Sequence, residues 1–204
     1  MTDAALDAAR EGEWPILDAF ETRADLDAFE AVVYDLDGTL VSLAVDWEAA
    51  ARDAAAALRE AGVDVDGTDL WSMLDVADGS GTRDVVEGVL TDHECDGARA
   101  SRRLELAEDA VARGPPKGVC SLNCEAACRL ALDVHDLARD VDAVVGRDTV
   151  ATRKPDPEPL LETLRRLGAD PSGAVFVGDS RRDALTAERA GVAFRYVPGG
   201  PSGH

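Results

Sequence analysis

The sequence predicts an α/β fold, a parallel sheet with helices on both faces and a helical insert near its start. Three features point that way. Short apolar runs alternate with amphipathic segments through the second half of the chain. A strand-like run at 31–34 ends in an acidic turn. A long segment without strand character, 42–115, separates that first strand from the rest.

Residues 1–30 read as an acidic helical extension, with Trp14, Ile16, Leu17 and Phe20 on one apolar face and Leu26 and Phe29 on another. Ala31-Val-Val-Tyr34 is the first strand, closed by Asp35-Leu-Asp-Gly-Thr39. Within 42–115 an alanine-rich helix spans 46–61 and stops at Gly62, and a second spans 70–76. Gly79-Ser-Gly81 interrupts; Thr82 caps a third helix to about residue 90, and a fourth runs from about 97 to 112. Gly114-Pro-Pro116 ends the insert. Strands follow at 119–121, 143–145, 174–177 and 192–197, with helices at about 125–132, 158–167 and 182–190. Residues 31–41 and 116–204 thus form one core, since such alternation makes consecutive strands parallel.

Of the 204 residues, 41 are acidic and 21 basic, and Lys117 and Lys154 are the two lysines. A net charge of −20 repels nucleic acid and anionic membranes, so neither is expected as a partner. The acidity runs along the whole chain, the pattern of adaptation to high salt, where mobile ions screen carboxylate repulsion. The melting temperature is therefore expected to climb from low to multimolar KCl; a flat or falling series would remove this reading. No apolar run is long enough to span a bilayer, and residues 1–13 lack the basic-then-apolar order of a secretory signal, so a cytoplasmic location is expected. Monomer and homodimer both remain open. The cysteines, Cys95, Cys120, Cys124 and Cys128, lack the two-residue gap of zinc sites and read as small buried hydrophobes.

In a parallel sheet, ligands bind beyond the carboxyl ends of the strands. Asp35 and Asp37 follow the first strand, Ser121 and Asn123 the second, Lys154 the third, and Asp179 and Asp183 the fourth. Each fragment alone has an ordinary reading: a turn, a capping hydroxyl, a solvated lysine, a helix N-terminus. Together they suit phosphoryl transfer. Acids from two strand ends can hold a hard divalent cation such as Mg²⁺. That charge and Lys154 would neutralise a phosphate. One carboxylate can then attack phosphorus while another, two residues on, moves the proton. Ser121 and backbone N–H groups near Gly38 and Asn123 can bind the phosphoryl oxygens.

In order, these residues resemble the four motifs of the haloacid dehalogenase superfamily. The motifs are Asp35-Leu-Asp-Gly-Thr-Leu40, Ser121-Leu-Asn123, Arg153-Lys-Pro-Asp-Pro157 and Gly178-Asp-Ser-Arg-Arg-Asp183, and their wording is most similar to the phosphoglycolate phosphatase-like branch. The resemblance implies a Rossmann-like three-layer core, with 42–115 as a helical cap of type C1 closing over the substrate. It implies Asp35 as nucleophile, Asp37 as general acid/base, and Thr39 as a support of the first loop. It implies Mg²⁺ held by Asp35, the Asp37 carbonyl and Asp179, with Asp183 in support. The acid at Asp37 sets the chain with phosphatases and mutases, apart from dehalogenases that attack carbon. A phosphatase of a small phosphorylated metabolite, phosphoglycolate first, is the leading expectation. A sugar phosphomutase and a non-catalytic binding protein of the same fold are the alternatives. Arg83 could reach a substrate carboxylate and His93 could touch substrate, though a surface arginine and a loop or helix-end histidine are the readings expected.

Overall fold

A computed structural model describes residues 16–17, 26–111 and 114–197. The chain runs through β1 (Ile16–Leu17), β2 (Ala31–Tyr34) and β3 (Val41–Ser42) into helices α1 (Trp47–Glu60), α2 (Leu70–Ser80) and α3 (Arg83–Arg99). It continues through β4 (Arg102–Arg103), the short helix α4 (Ala107–Ala110), β5 (Lys117–Cys120), α5 (Glu125–Val134), β6 (Ala143–Val145), α6 (Glu158–Leu167), β7 (Ala174–Gly178), α7 (Arg181–Ala190) and β8 (Ala193–Tyr196). Six strands form one sheet in the order β1-β8-β7-β2-β5-β6, and every adjacent pair is parallel.

Alternation of side chains along each strand divides the core in two. Val32, Tyr34, Val119 and Val177 face α5, where Ala127, Cys128 and Leu132 meet them. Ala31, Val33 and Phe176 face the other way, onto Leu160 and Leu164 of α6 and Ala187 of α7. Both faces are covered, which is why β2 and β7 are apolar at every position. The result is a three-layer α/β core, as expected. From β2 the chain moves outward through β5 and β6, then crosses back to β7 and β8 on the other side. The order reverses beside β2, so the crevice of this sheet opens at the end of β2.

Helices α1–α3 pack on one another through a separate apolar cluster that includes Leu58, Met73, Leu74, Val86 and Leu90. Asp46 and Asp69 accept hydrogen bonds from the first turns of α1 and α2, satisfying donors that a helix start leaves unpaired.

Three expectations are corrected. Ile16 and Leu17, expected on a helical face, form a strand in register with Phe194 and Arg195 of β8. Leu26 and Phe29 do bury against the core, from a turn, while Trp14 and Phe20 lie outside the described residues. Gly97 does not divide two helices: α3 runs unbroken to Arg99. A Cβ at Gly97 would come within 2.5 Å of Val45 Cγ2, so glycine serves a close approach of two backbones, sealed by Ala44 N donating to Gly97 O at 3.1 Å. Finally, 42–115 is not wholly helical, because Arg102–Arg103 pairs antiparallel with Val41–Ser42 where the chain leaves and re-enters the core.

All four cysteines are free, and Cys120, Cys124 and Cys128 are buried. Burial pushes the Cys120 and Cys124 thiols up to about 12, which leaves them protonated and unreactive near neutral pH.

Candidate active site

The β2 ladder continues one residue past the strand, with Asp35 N donating to Val177 O at 2.8 Å. The chain then folds back on itself. Leu36 O accepts from Leu40 N at 2.9 Å and Val41 N at 3.0 Å, and Gly38 N donates to Val41 O at 2.8 Å. Gly38 sits at φ +80, a region that costs other residues energy. Space also demands glycine, since a Cβ there would lie 2.2 Å from Asp179 Oδ2. Gly38→Ala is therefore expected to displace the Asp179 carboxylate and cost more activity than stability, which paired turnover assays and thermal melts would reveal.

This turn puts Asp35 and Asp37 in the lining of a cavity of about 590 Å³, together with Ser121, Asn123 and Asp179. Asp37 is half-buried, and its Oδ1 accepts from Leu43 N at 2.8 Å, which fixes its orientation. Burial raises its pKa above the ordinary carboxylate value, against the hydrogen bonds from Leu43 and Gly38. Ser121 Oγ accepts from Asn123 N and donates to Asn123 Oδ1, both at 3.2 Å, closing a tight loop at the end of β5.

Lys154 lies beneath Asp35. Its ammonium donates to Asp35 Oδ1 at 2.9 Å, Asp183 Oδ1 at 2.5 Å and Cys120 O at 3.1 Å. Carboxylate oxygens of Asp35, Asp179 and Asp183 lie within 4.8 Å of one another. Burial pushes the Asp35 carboxyl up to about 7, with Asp183 adding to the shift and Lys154 opposing it. Burial would lower Lys154, but the Asp183 and Asp35 carboxylates outweigh it and hold the ammonium above its usual value. Burial, then Asp183, also raises Asp179, which forms no ion pair among the described residues. Three crowded acids, with one lysine serving two of them, are an all-oxygen donor set short of positive charge, and a hard divalent cation fits it. Asp183 is the most committed of the three, since its Oδ2 also accepts from Ser180 N and Oγ in a capping box at the start of α7.

The structure thus unites Asp35, Asp37, Ser121, Asn123, Lys154, Asp179 and Asp183. Thr39 does not line the cavity; its hydroxyl is buried without a hydrogen-bond partner among the described residues. Arg83 pairs with Asp78 and Glu87, and His93 with Asp53, away from the cavity lining.

Sequence reasoning missed two groups. Trp47 and Trp71 line the cavity from the insert, their rings 6.2 Å apart, with Arg182 of α7 over the Trp71 ring. Two of the three tryptophans falling within an alanine-rich acidic insert was the available signal. The second group is a buried network behind the Ser121 loop. The fully buried Arg147 donates to Glu94 Oε1 at 2.5 Å, to Glu87 Oε2 at 2.7 Å and to Leu122 O at 2.9 Å. Glu94 in turn accepts from Cys124 N at 2.8 Å. Nothing in the local pattern links Glu94 to Arg147.

Residues 105–197 match the family described as haloacid dehalogenase-like hydrolase. The chain is 34% identical over 179 residues to a phosphoglycolate phosphatase of Mesorhizobium japonicum, covering 79% of each. It is 35% identical over 189 residues to one of Rhodospirillum rubrum, covering 80% of this chain and 77% of that one. Among solved structures, a HAD-superfamily hydrolase of subfamily IA from Geobacter sulfurreducens is 27% identical with a TM-score of 0.56, over 82% of this chain and 88% of that one. With its four motif segments gathered at one sheet edge, the chain belongs to the haloacid dehalogenase-like hydrolases, on their phosphoglycolate phosphatase-like branch.

Proposed function

We propose that this phosphoric monoester hydrolase dephosphorylates a small phosphorylated metabolite through a phosphoryl group carried on Asp35. The observation that carries the reading is the position of Asp35, in the cavity lining with Lys154 and Asp183 behind it and Asp179 beside it. Asp35 Oδ1 is held by Lys154, which fixes the carboxylate for in-line attack on phosphorus. Asp37, oriented by Leu43 N and raised by burial, protonates the departing ester oxygen and then takes a proton from the attacking water. Ser121 and Asn123, in the cavity lining, hydrogen-bond the phosphoryl oxygens. Gly38 and Thr39 shape the turn that presents both aspartates. Mg²⁺, held by Asp35, Asp179 and the Asp37 carbonyl with Asp183 in support, would supply the positive charge that lets an anionic ester approach an anionic nucleophile. Likeness to the two bacterial phosphoglycolate phosphatases makes phosphoglycolate the first substrate to try.

Residues 42–115 serve in this reading as a cap over the cavity, excluding water from the phosphorylated aspartate. Because Glu87 and Glu94 of α3 grip Arg147 of the core, closing motion would fall to α1 and α2.

The test is a phosphate-release screen over phosphorylated metabolites, with Mg²⁺ and after exhaustive chelation, at low and high salt. Release that needs the added metal supports the reading, and full activity after chelation counts against the metal's role. A screen in which no ester yields phosphate would sink the phosphatase reading itself.

A further inference from the structure

The cavity of this chain has two arginines that its chemistry, as proposed above, does not use. Arg181 and Arg182 line it at the start of α7. Among the described residues neither forms an ion pair, although the chain carries 41 acidic residues. Their neighbours are neutralised: Arg153 by Asp75, Arg147 by Glu87 and Glu94, Lys154 by Asp35 and Asp183. Both also occupy the first turn of a helix, where the macrodipole disfavours cations. Helix stability therefore gives no reason for them.

Arg182 is the better placed of the two. It is half-buried, with its guanidinium 5.5 Å from the centre of the Trp71 ring on α2. The Arg182 charge lies over the indole ring, and among the described residues its side-chain N–H groups donate no hydrogen bond, which leaves them for a ligand. A guanidinium edge pairs in fork geometry with carboxylate or phosphate oxygens. In a chain of net charge −20 such a cation offsets, at one point, the repulsion any anionic substrate meets.

We propose that Arg182, backed by Trp71, is a specificity-determining residue that receives a second anionic group of the substrate, a carboxylate or a second phosphate, while the first phosphate lies at Asp35. The inference rests on the phosphatase reading and narrows it to small esters that are anionic at both ends. Trp47, beside Trp71, walls the cavity next to that second group and limits the length of the link between the two anions.

The test compares kcat and KM for 2-phosphoglycolate, a short alkyl bisphosphate and ethyl phosphate, in wild type, Arg182→Gln and Arg182→Lys. Wild type is expected to prefer one or both doubly anionic esters. Arg182→Gln should lower that preference roughly 10- to 100-fold, mainly through KM, as loss of a charged hydrogen bond predicts. Arg182→Lys should restore part of it, because the charge returns without the fork. Which doubly anionic ester suffers more identifies carboxylate or phosphate as the recognised group. Equal losses on all three esters would mean that Arg182 only holds Trp71, and would overturn the proposal. Binding provides a readout independent of turnover: phosphonoacetate, a short alkyl bisphosphonate and ethylphosphonate titrated against tryptophan fluorescence. If no ester is hydrolysed but Arg182→Gln weakens phosphonoacetate or the bisphosphonate selectively, the phosphatase reading fails and the anion site stands. Equal affinity of wild type for ethylphosphonate, phosphonoacetate and a short alkyl bisphosphonate would overturn the anion site whatever the turnover.

Discussion

Asp35→Asn is expected to lose essentially all turnover, on the order of 10⁴- to 10⁶-fold in kcat, with every ester tried. An amide in that position cannot attack phosphorus, and Lys154 below it would keep only Asp183 as an anionic partner. Asp37→Asn should behave differently, though it lies two residues away. It removes proton transfer, worth about 10²- to 10⁴-fold, from a step that an alkoxide leaving group needs and a nitrophenolate does not. The loss should therefore be severe with ethyl phosphate and much milder with 4-nitrophenyl phosphate, until hydrolysis of the intermediate limits the rate. Comparing both variants on both esters checks the assignment. Equal losses across the four combinations would mean that the two aspartates share one role.

Arg147→Met is expected to be the most damaging substitution outside the cavity, costing about 3–5 kcal/mol of stability. Glu94 is fully buried, and without Arg147 it keeps the Cys124 N–H as a donor while losing its cation. Glu87 is 15% exposed and can recover water. In a domain of this size the loss corresponds to a fall in melting temperature of roughly 6–20 °C. Adding Glu94→Leu should restore most of it, because replacing both members of a buried pair by apolar groups removes the stranded charge. A single variant that melts with wild type, or a double variant no better than the single, would contradict this reading. Activity should fall with the single variant beyond the stability loss, since the Arg147 guanidinium also donates to Leu122 O at 2.9 Å, inside the loop that carries Ser121.

Legibility in the sequence followed locality. The core strands were readable because burial on both faces forces continuous apolar runs such as Ala31–Tyr34 and Ala174–Gly178. The gathering of the candidate residues was readable because a parallel sheet delivers each strand end to one edge, so order along the chain becomes proximity in space. Features set by distant partners were not readable. Ile16 and Leu17 are too short a run to establish a period, and their partner strand lies near the other end of the chain. Arg102 and Arg103 carry no strand signal, because their pairing with Val41 and Ser42 uses backbone groups alone. Glu94 and Arg147, 53 residues apart, each read as one charge among many. Gly97 read as the start of a separate helix, because glycine costs about 1 kcal/mol inside one; the Val45 backbone lying against it supplies a reason that local pattern does not contain.

The most direct measurement is an acid-quenched single turnover with 4-nitrophenyl phosphate, followed by peptide mass mapping of wild type, Asp35→Asn and Asp37→Asn. Wild type should show one phosphoryl group on the peptide containing Asp35, appearing before inorganic phosphate. Asp37→Asn should accumulate it, because no base activates water to remove it, and Asp35→Asn should show none. Release of phosphate at the wild-type rate with no phosphorylated peptide at any quench time would mean that water attacks the ester directly, and Asp35 would not be the nucleophile.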